Sequence, residues 1–261
     1  TATICSGGAT DIVLRSTVPS TNFAWTVSNS PAVTWTSAPA DGSRVNGNNT
    51  SIAQTLAHTA SSPTTVTYAI IPAGPAPTNC PGPEITRTVV VNPSAQVNDP
   101  ANQMHCAGTA VPALSFTTNR TGGTTTYEWL NDNTAIGLGA SGSGNLPAFT
   151  ATNSGTAPIT ATITVTPIFT NGGQSCSGTP QTFTITVNPS AQVNDPADQV
   201  QCNNASVPEL VFTTTRTGGT TTYAWTNSNT SIGLGASGSG NLPAFTATNS
   251  GTAPISATIT V

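Results

Sequence analysis

Charge is nearly missing from this chain. Only 5% of its 261 residues are Asp, Glu, Lys or Arg, where an average soluble domain carries about a quarter. Lysine is absent, and Arg15, Arg44, Arg87, Arg120 and Arg216 supply every basic side chain except two histidines, His58 and His105. The formal net charge is −4, and no basic patch is present to neutralise phosphates, which excludes a nucleic-acid partner. No apolar run approaches the roughly 18 residues a spanning helix needs, so this segment is not expected to insert in a membrane. Helical periodicity with caps is also missing.

What remains is Thr, Ser, Asn, Gly and Pro set around short apolar runs. In Ile159-Thr160-Ala161-Thr162-Ile163-Thr164-Val165 apolar residues alternate with threonine, and Phe183-Thr184-Ile185-Thr186-Val187 does the same. A period of two marks strands with one face on a core and one in water, and threonine fits the outer face of a pleated surface. Turn signals such as Thr121-Gly122-Gly123-Thr124, Asn153-Ser154-Gly155 and Asn171-Gly172-Gly173 separate the runs. The chain reads as all-β. In its middle third, strands are expected near 111–118, 124–130, 147–153, 157–168 and 180–188, with one or two short ones before Cys106.

The chain also repeats itself. Val91-Asn92-Pro93-Ser94-Ala95-Gln96-Val97-Asn98-Asp99-Pro100 returns 96 residues later as Val187 to Pro196, and about four in five aligned positions are identical to the end of the chain. A repeat of roughly a hundred residues is the size of one immunoglobulin-like β-sandwich, whereas solenoid and propeller repeats run to about 20–50. A divergent first copy is visible: Phe23-Ala24-Trp25 stands where Tyr127-Glu128-Trp129 and Tyr223-Ala224-Trp225 stand later. The expected organisation is module one at 1–93, module two at 94–189, and module three at 190–261. The third stops at Val261, the counterpart of Val165, without the equivalent of its last strand, and the sequence is expected to be a fragment of something longer.

The five cysteines follow the modules: Cys5 and Cys80 in the first, Cys106 and Cys176 in the second, Cys202 in the third. One bridge per module is expected, Cys5–Cys80 and Cys106–Cys176, with the partner of Cys202 falling beyond Val261. Bridges imply an oxidising, exported location. The rival pairing is Cys80–Cys106 with Cys176–Cys202. A full strand and a linker separate those partners, roughly 30 Å when extended, and a disulfide needs Cα atoms within about 7 Å; the within-module pairing is preferred.

Motifs that could carry chemistry fail on their surroundings. Gly137-Leu138-Gly139-Ala140-Ser141-Gly142 matches the dinucleotide fingerprint letter for letter, as does Gly233 to Gly238. That fingerprint works because a helix N-terminus comes next; here the next residues are Ser143-Gly144-Asn145-Leu146-Pro147, and a flexible sheet-crossing loop is expected. No catalytic residues are expected, because His105 becomes Gln201, Glu128 becomes Ala224 and Asp132 becomes Ser228 between near-identical copies. A repeated catalytic site would repeat its proton-transfer groups. Asp99, Asp195 and Asp198 near the linkers are too few carboxylates for calcium, which takes six to eight oxygens, so neither a metal nor a cofactor is expected. Trp25, Trp129 and Trp225 are expected core anchors. Trp35, which the other modules lack, and Leu138 and Leu234 of the loop are candidate surface contacts. Asn119-Arg120-Thr121 and Asn204-Ala205-Ser206 are glycosylation sequons.

The linkers Asn92-Pro93 and Asn188-Pro189 come directly after the last strand, and proline restricts both itself and its predecessor. A semi-rigid, elongated array is expected, each module adding on the order of 35–45 Å.

Tyr223-Ala224-Trp225-Thr226-Asn227-Ser228-Asn229, the block Gly240 to Asn249, and Thr184-Ile185-Thr186-Val187-Asn188-Pro189 together resemble the PKD-like repeats of giant surface proteins in Bacteroidota. That set includes gliding-motility adhesins exported by type IX secretion. Ile4-Cys5-Ser6-Gly7-Gly8 looks like the opening of such a module. The acidic-glycine turn of PKD domains after the tryptophan is replaced by Leu130-Asn131-Asp132-Asn133. The resemblance implies tandem PKD-like β-sandwich modules in an extracellular, cell-surface adhesin or filament, acting as a load-bearing stalk and touching neighbouring repeats of the same chain. Alternatives are a multivalent module binding extracellular glycans or surfaces through its loops, and an accessory stalk of a secreted polysaccharide-degrading enzyme.

Overall fold

A computed structural model describes residues 2–36, 41–44 and 47–261. Among them there are strands and two single-turn 3-10 segments, and no α-helix. The first stretch contains β1 (Ala2–Cys5), β2 (Gly8–Ala9), β3 (Ile12–Val13), β4 (Asn22–Ser28), β5 (Val33–Trp35), β6 (Gly42–Arg44), β7 (Ser51–Ile52), β8 (Thr55–His58), β9 (Thr64–Ala73) and β10 (Ile85–Asn92). Its larger sheet runs β1-β10-β9-β4-β6, and β2-β8-β5 and β3-β7 form smaller ones. Phe23, Trp25, Val66, Tyr68 and Val89 from the larger sheet share one core with Val33, Ile52 and Leu56 from the smaller sheets. Two layers around one core make a sandwich.

The second stretch repeats this plan with β11 (Gln103–Cys106), β12 (Ala110–Val111), β13 (Thr124–Asn131), β14 (Ser141–Ser143), β15 (Phe149–Thr150), β16 (Ile159–Asn171), β17 (Gln174–Ser177) and β18 (Gln181–Asn188). Its sheet order is β11-β18-β16-β13-β14, with β17 folding back on the end of β16 and β12 pairing β15. The threonine alternation does what a period of two requires. Ala161, Ile163, Val165 and Phe169 of β16 are fully buried, while Thr160, Thr162 and Thr164 between them keep contact with solvent. Burying a side chain of the size of Ile, Val or Phe stabilises by roughly 1.5–3 kcal/mol, so one strand sets much of the core.

The third stretch has β19 (Ser206–Val207), β20 (Ala224–Asn227), β21 (Ser237–Ser239), β22 (Phe245–Thr246) and β23 (Ile259–Thr260) around Phe212, Trp225, Leu234 and Leu242.

Two of the expected strands shrink. The run at 111–118 keeps only β12 and a lone bridge from Leu114 to Leu146, and the run at 147–153 keeps only β15. Pro112 and Pro147 interrupt them, since proline cannot donate to a ladder. The segment 136–146, expected to be a flexible loop, is instead ordered structure. Asn133 caps a 3-10 turn at Thr134–Ile136, Gly137 closes it at φ +97°, and β14 then pairs with β13.

In both larger sheets the first strand lies parallel to the last. Cys5 is register partner of Asn92, and Cys106 of Asn188. This places each first-strand cysteine at the end where its module hands over to the next.

Candidate functional site at the module junctions

The cysteine pairing is not the expected one. Cys5 bonds Cys176, 171 residues away, with Cα atoms 5.5 Å apart, while Cys80, Cys106 and Cys202 are free and exposed. Neither Cys5–Cys80 nor Cys106–Cys176 forms, and the parallel first strand is the reason. Cys5 lies beside Asn92 at the end of β10, while Cys80 precedes the start of β10. Seven strand steps at about 3.3 Å put them on the order of 20 Å apart, far outside the reach of a disulfide. Cys106 and Cys176 stand in the same relation across β18. The rival pairs Cys80–Cys106 and Cys176–Cys202 do not form either.

The bridge sits in a built contact between the larger sheets of the first and second stretches. The β16–β17 hairpin, turning on Gly172 and Gly173 at φ +59° and +77°, reaches the end of the first sheet. Asn92 is completely buried there. Its Nδ2 donates to the carbonyls of Asn171 at 3.0 Å and Gln174 at 3.3 Å, and its Oδ1 accepts from Nδ2 of Asn171 at 3.0 Å. A Cβ on Gly172 would stand 2.7 Å from Oγ1 of Thr3, and one on Gly178 would collide with the carbonyl of Ala95. Both positions therefore need glycine for close approach, and Gly172 needs it for turn geometry as well.

A second contact closes the other side of the junction. Nη1 of Arg120 donates to the carbonyl of Ala60 at 3.1 Å, and the amide of Thr121 donates to the carbonyl of Ser61 at 3.0 Å. Gly122 packs against Pro63. One repeat later Nη1 of Arg216 donates to the carbonyl of Gly155 at 2.8 Å, the Thr217 amide to the carbonyl of Thr156 at 2.9 Å, and Gly218 packs against Pro158. Two of the five arginines thus join successive stretches of the chain. Sequence reasoning missed both, although the repeated Arg-Thr-Gly-Gly was legible as a turn signal.

Each linker is bound into the module on its C-terminal side. Val97 is buried in the second core, and the amide of Asn98 donates to the Thr117 carbonyl at 2.8 Å. Oε1 of Gln96 accepts from the amide of Asn119 at 3.0 Å, as Gln192 does from Thr215 at 3.3 Å.

His58 borders the first junction. Nε2 of its ring lies 2.9 Å from Oγ1 of Thr64. Burial, the largest influence, lowers its pKa from the ordinary 6.5, the Arg120 guanidinium lowers it further, and backbone groups at 58–62 oppose them. Nε2 of His105 lies 3.0 Å from Oε1 of Gln103. Among the described residues no three His, Cys, Asp or Glu side chains gather where a metal could sit, and Asp99, Asp195 and Asp198 form no such group.

The structure places Trp25, Trp129 and Trp225 inside, at 7%, 4% and 4% exposure. The candidate contact residues of the loop are inside as well, which corrects that expectation. Leu138 and Leu234 are 2% and 3% exposed, because the ordered 3-10 turn folds each leucine into its own core. Trp35 is half-buried against the first core, and its Nε1 donates to Oε1 of Gln54 at 3.2 Å. The same Oε1 accepts from the Tyr68 hydroxyl at 2.9 Å.

Fold and junction together define the class: an all-β chain of immunoglobulin-like type, carrying a disulfide between its two larger sheets. A PKD-like domain family model matches residues 2–95. No curated protein matches the chain. Among solved structures, it is similar to human mucin-like protocadherin EC1-2 at 9% identity, over 72% of this chain and 95% of that one, with a TM-score of 0.26. CBD12 from CALX1.2 gives 9% identity, 71% and 96% coverage and a TM-score of 0.27. The human desmocollin-1 ectodomain gives 13%, 87% and 46%, and 0.23. Among the described residues no helix is long and apolar enough to cross a membrane.

Proposed function

We propose that this chain is a non-catalytic, load-bearing stalk segment of an extracellular cell-surface adhesin or filament. In this reading its three modules form an elongated array that holds a distant tip away from the cell, in attachment or gliding motility. The sequence resemblance to giant Bacteroidota surface proteins supports export by type IX secretion. One observation carries the mechanical part: the Arg-Thr-Gly contact recurs at two successive junctions, Arg120 on Ala60 and Arg216 on Gly155. A rod needs the same rigid joint each time a module is added, and a duplicated joint supplies it. The disulfide supports an oxidising location. The absence of catalysis is supported by the loss of His105, Glu128 and Asp132 in the next copy.

The test is binding of the oxidised chain to a glycan array and to abiotic surfaces. A passive stalk predicts no saturable binding. Selective, saturable binding would make the repeats themselves adhesive, acting together by avidity, and would overturn the stalk reading.

A further inference from the structure

The three free cysteines fall into two classes that the single bridge already defines. Cys106 and Cys202 are copies of Cys5. Cys5 pairs in register with Asn92 and Cys106 with Asn188. Two residues beyond each cysteine the chain enters the left-handed region: Gly7 at φ +83°, Gly108 at +85° and Asn204 at +66°. Asparagine tolerates that conformation better than other side chains. The amide of each donates to an equivalent carbonyl, Leu56 at 2.7 Å, Ala151 at 2.8 Å and Ala247 at 2.7 Å. Cys80 is instead a copy of Cys176. Cys176 faces Phe169 across the β16–β17 hairpin, and the carbonyl of Cys80 accepts from Gly74 across the corresponding hairpin after β9.

We propose that the first-strand cysteine of each module bonds the hairpin cysteine of the next module, making a covalent ladder along the array. Cys5–Cys176 is one rung. The end of the second sheet, with Cys106 on β11 beside Asn188 on β18, is then the seat for the counterpart of hairpin 169–176 in the third module. By the repeat offset its cysteine would fall 96 positions after Cys176, beyond Val261. Asn188 takes there the part that buried Asn92 plays against Asn171 and Gln174. Cys202 and Cys80 are the halves that a following and a preceding module would complete.

The occupant is named by what fills the same seat one module earlier. The second junction already repeats the first at its other edge, through Arg216, Thr217 and Gly218. A module docked by that edge in the same orientation carries its hairpin to Cys106. Formation of each rung removes two protons and two electrons from a thiol pair. A disulfide oxidant accepts them and leaves as two thiols; oxidised glutathione serves in vitro. The ladder is independent of the stalk reading, since a glycan-binding array would carry the same rungs.

The test begins with the 261-residue chain refolded in oxidised and reduced glutathione, alkylated, and digested without reduction for mass spectrometry. A Cys5–Cys176 cross-link with Cys80, Cys106 and Cys202 alkylated is expected; Cys5–Cys80 would overturn the proposal. Next, the chain is extended beyond Val261 by a copy of Thr166–Asn188. The added cysteine should cross-link to Cys106, whose alkylation should fall at least tenfold, while Cys202 stays alkylated. In the extended chain Cys106→Ser should abolish that cross-link and Cys202→Ser should leave it. A bond from the added cysteine to Cys202, or an added cysteine left free, would refute the ladder.

Discussion

Gly142 lies directly beneath the indole of Trp129, its register partner across β13 and β14, so that a Cβ there would collide with Cζ2 of the ring. The pair recurs as Gly238 under Trp225 and as Gly42 under Trp25, where the Cβ would stand 2.5 Å from Cζ2. This is what the last glycine of the apparent nucleotide fingerprint is for: it lets a large ring lie flat over the neighbouring strand. Gly142→Ala should therefore destabilise the second module by roughly 1–3 kcal/mol, the usual cost of overpacking. Urea denaturation monitored by tryptophan fluorescence measures it, and Gly139→Ala, where a Cβ meets nothing within 4 Å, is the control. Equal stability of the two variants would dismiss the ring-over-glycine account.

The Cys5–Cys176 bridge closes a loop that contains most of two modules. In the chain-entropy model, closing a loop of 100 residues or more stabilises by about 5 kcal/mol. Cys5→Ser and Cys176→Ser should lower the melting temperature of the first two modules by similar amounts, and the double variant should add little, because both remove one bond. Cys80→Ser should change nothing. Calorimetry under oxidising conditions gives all four values; a loss with Cys80→Ser matching that with Cys5→Ser would speak for a within-module bridge.

Arg216 and Arg120 hold equivalent joints, but only the first joint among the described residues has a disulfide beside it. A hydrogen bond from a charged donor contributes on the order of 1.5–3 kcal/mol. Arg216→Ala should loosen the second junction more than Arg120→Ala loosens the first, read as averaging of residual dipolar couplings between modules. Reduction should erase the difference. Equal averaging in the oxidised chain would mean the bridge does not restrain its junction.

His58 should make folding of the first stretch sensitive to acid. Its folded pKa lies below the ordinary 6.5 because burial, and after it the Arg120 guanidinium, disfavours the imidazolium, against backbone groups that favour it. Between the folded and unfolded values the unfolded chain binds the extra proton, so stability rises with pH. The contribution is present above about pH 6.5 and is lost as pH falls through the lowered folded value. Urea titrations across this window should show that loss, and His58→Gln should flatten it. In Arg120→Ala the imidazole NMR titration should move to higher pH, and an unmoved midpoint would show that Arg120 does not act on His58.

Composition and alternation were enough to establish an all-β chain. Threonine between Ala161, Ile163 and Val165 leaves one face wet and one dry, and that periodicity is local, so it survives in any fold that buries the apolar side. Strand lengths were less legible, because Pro112 and Pro147 cut ladders whose apolar pattern runs past them. The burial of Leu138 and Leu234 could not be read at all. A Gly-rich segment looks like a loose loop until Asn133, Gly137 and the ring of Trp129 give each residue its place.

The cysteine pairing belonged wholly to tertiary structure. Repeat arithmetic says which cysteines are copies of one another, but a bond depends on which ends of two sheets meet. Because β1 runs parallel to β10, Cys5 lies at the end nearest the next module and far from Cys80. The hairpin of that next module folds back to the same end. Sequence alone determined the repeat, the strand faces and the scarcity of charge, since these are properties of the residues and their order along the chain. The parallel first strand and the docking of Arg120 and hairpin 169–176 across the junction decided where a covalent bond could form.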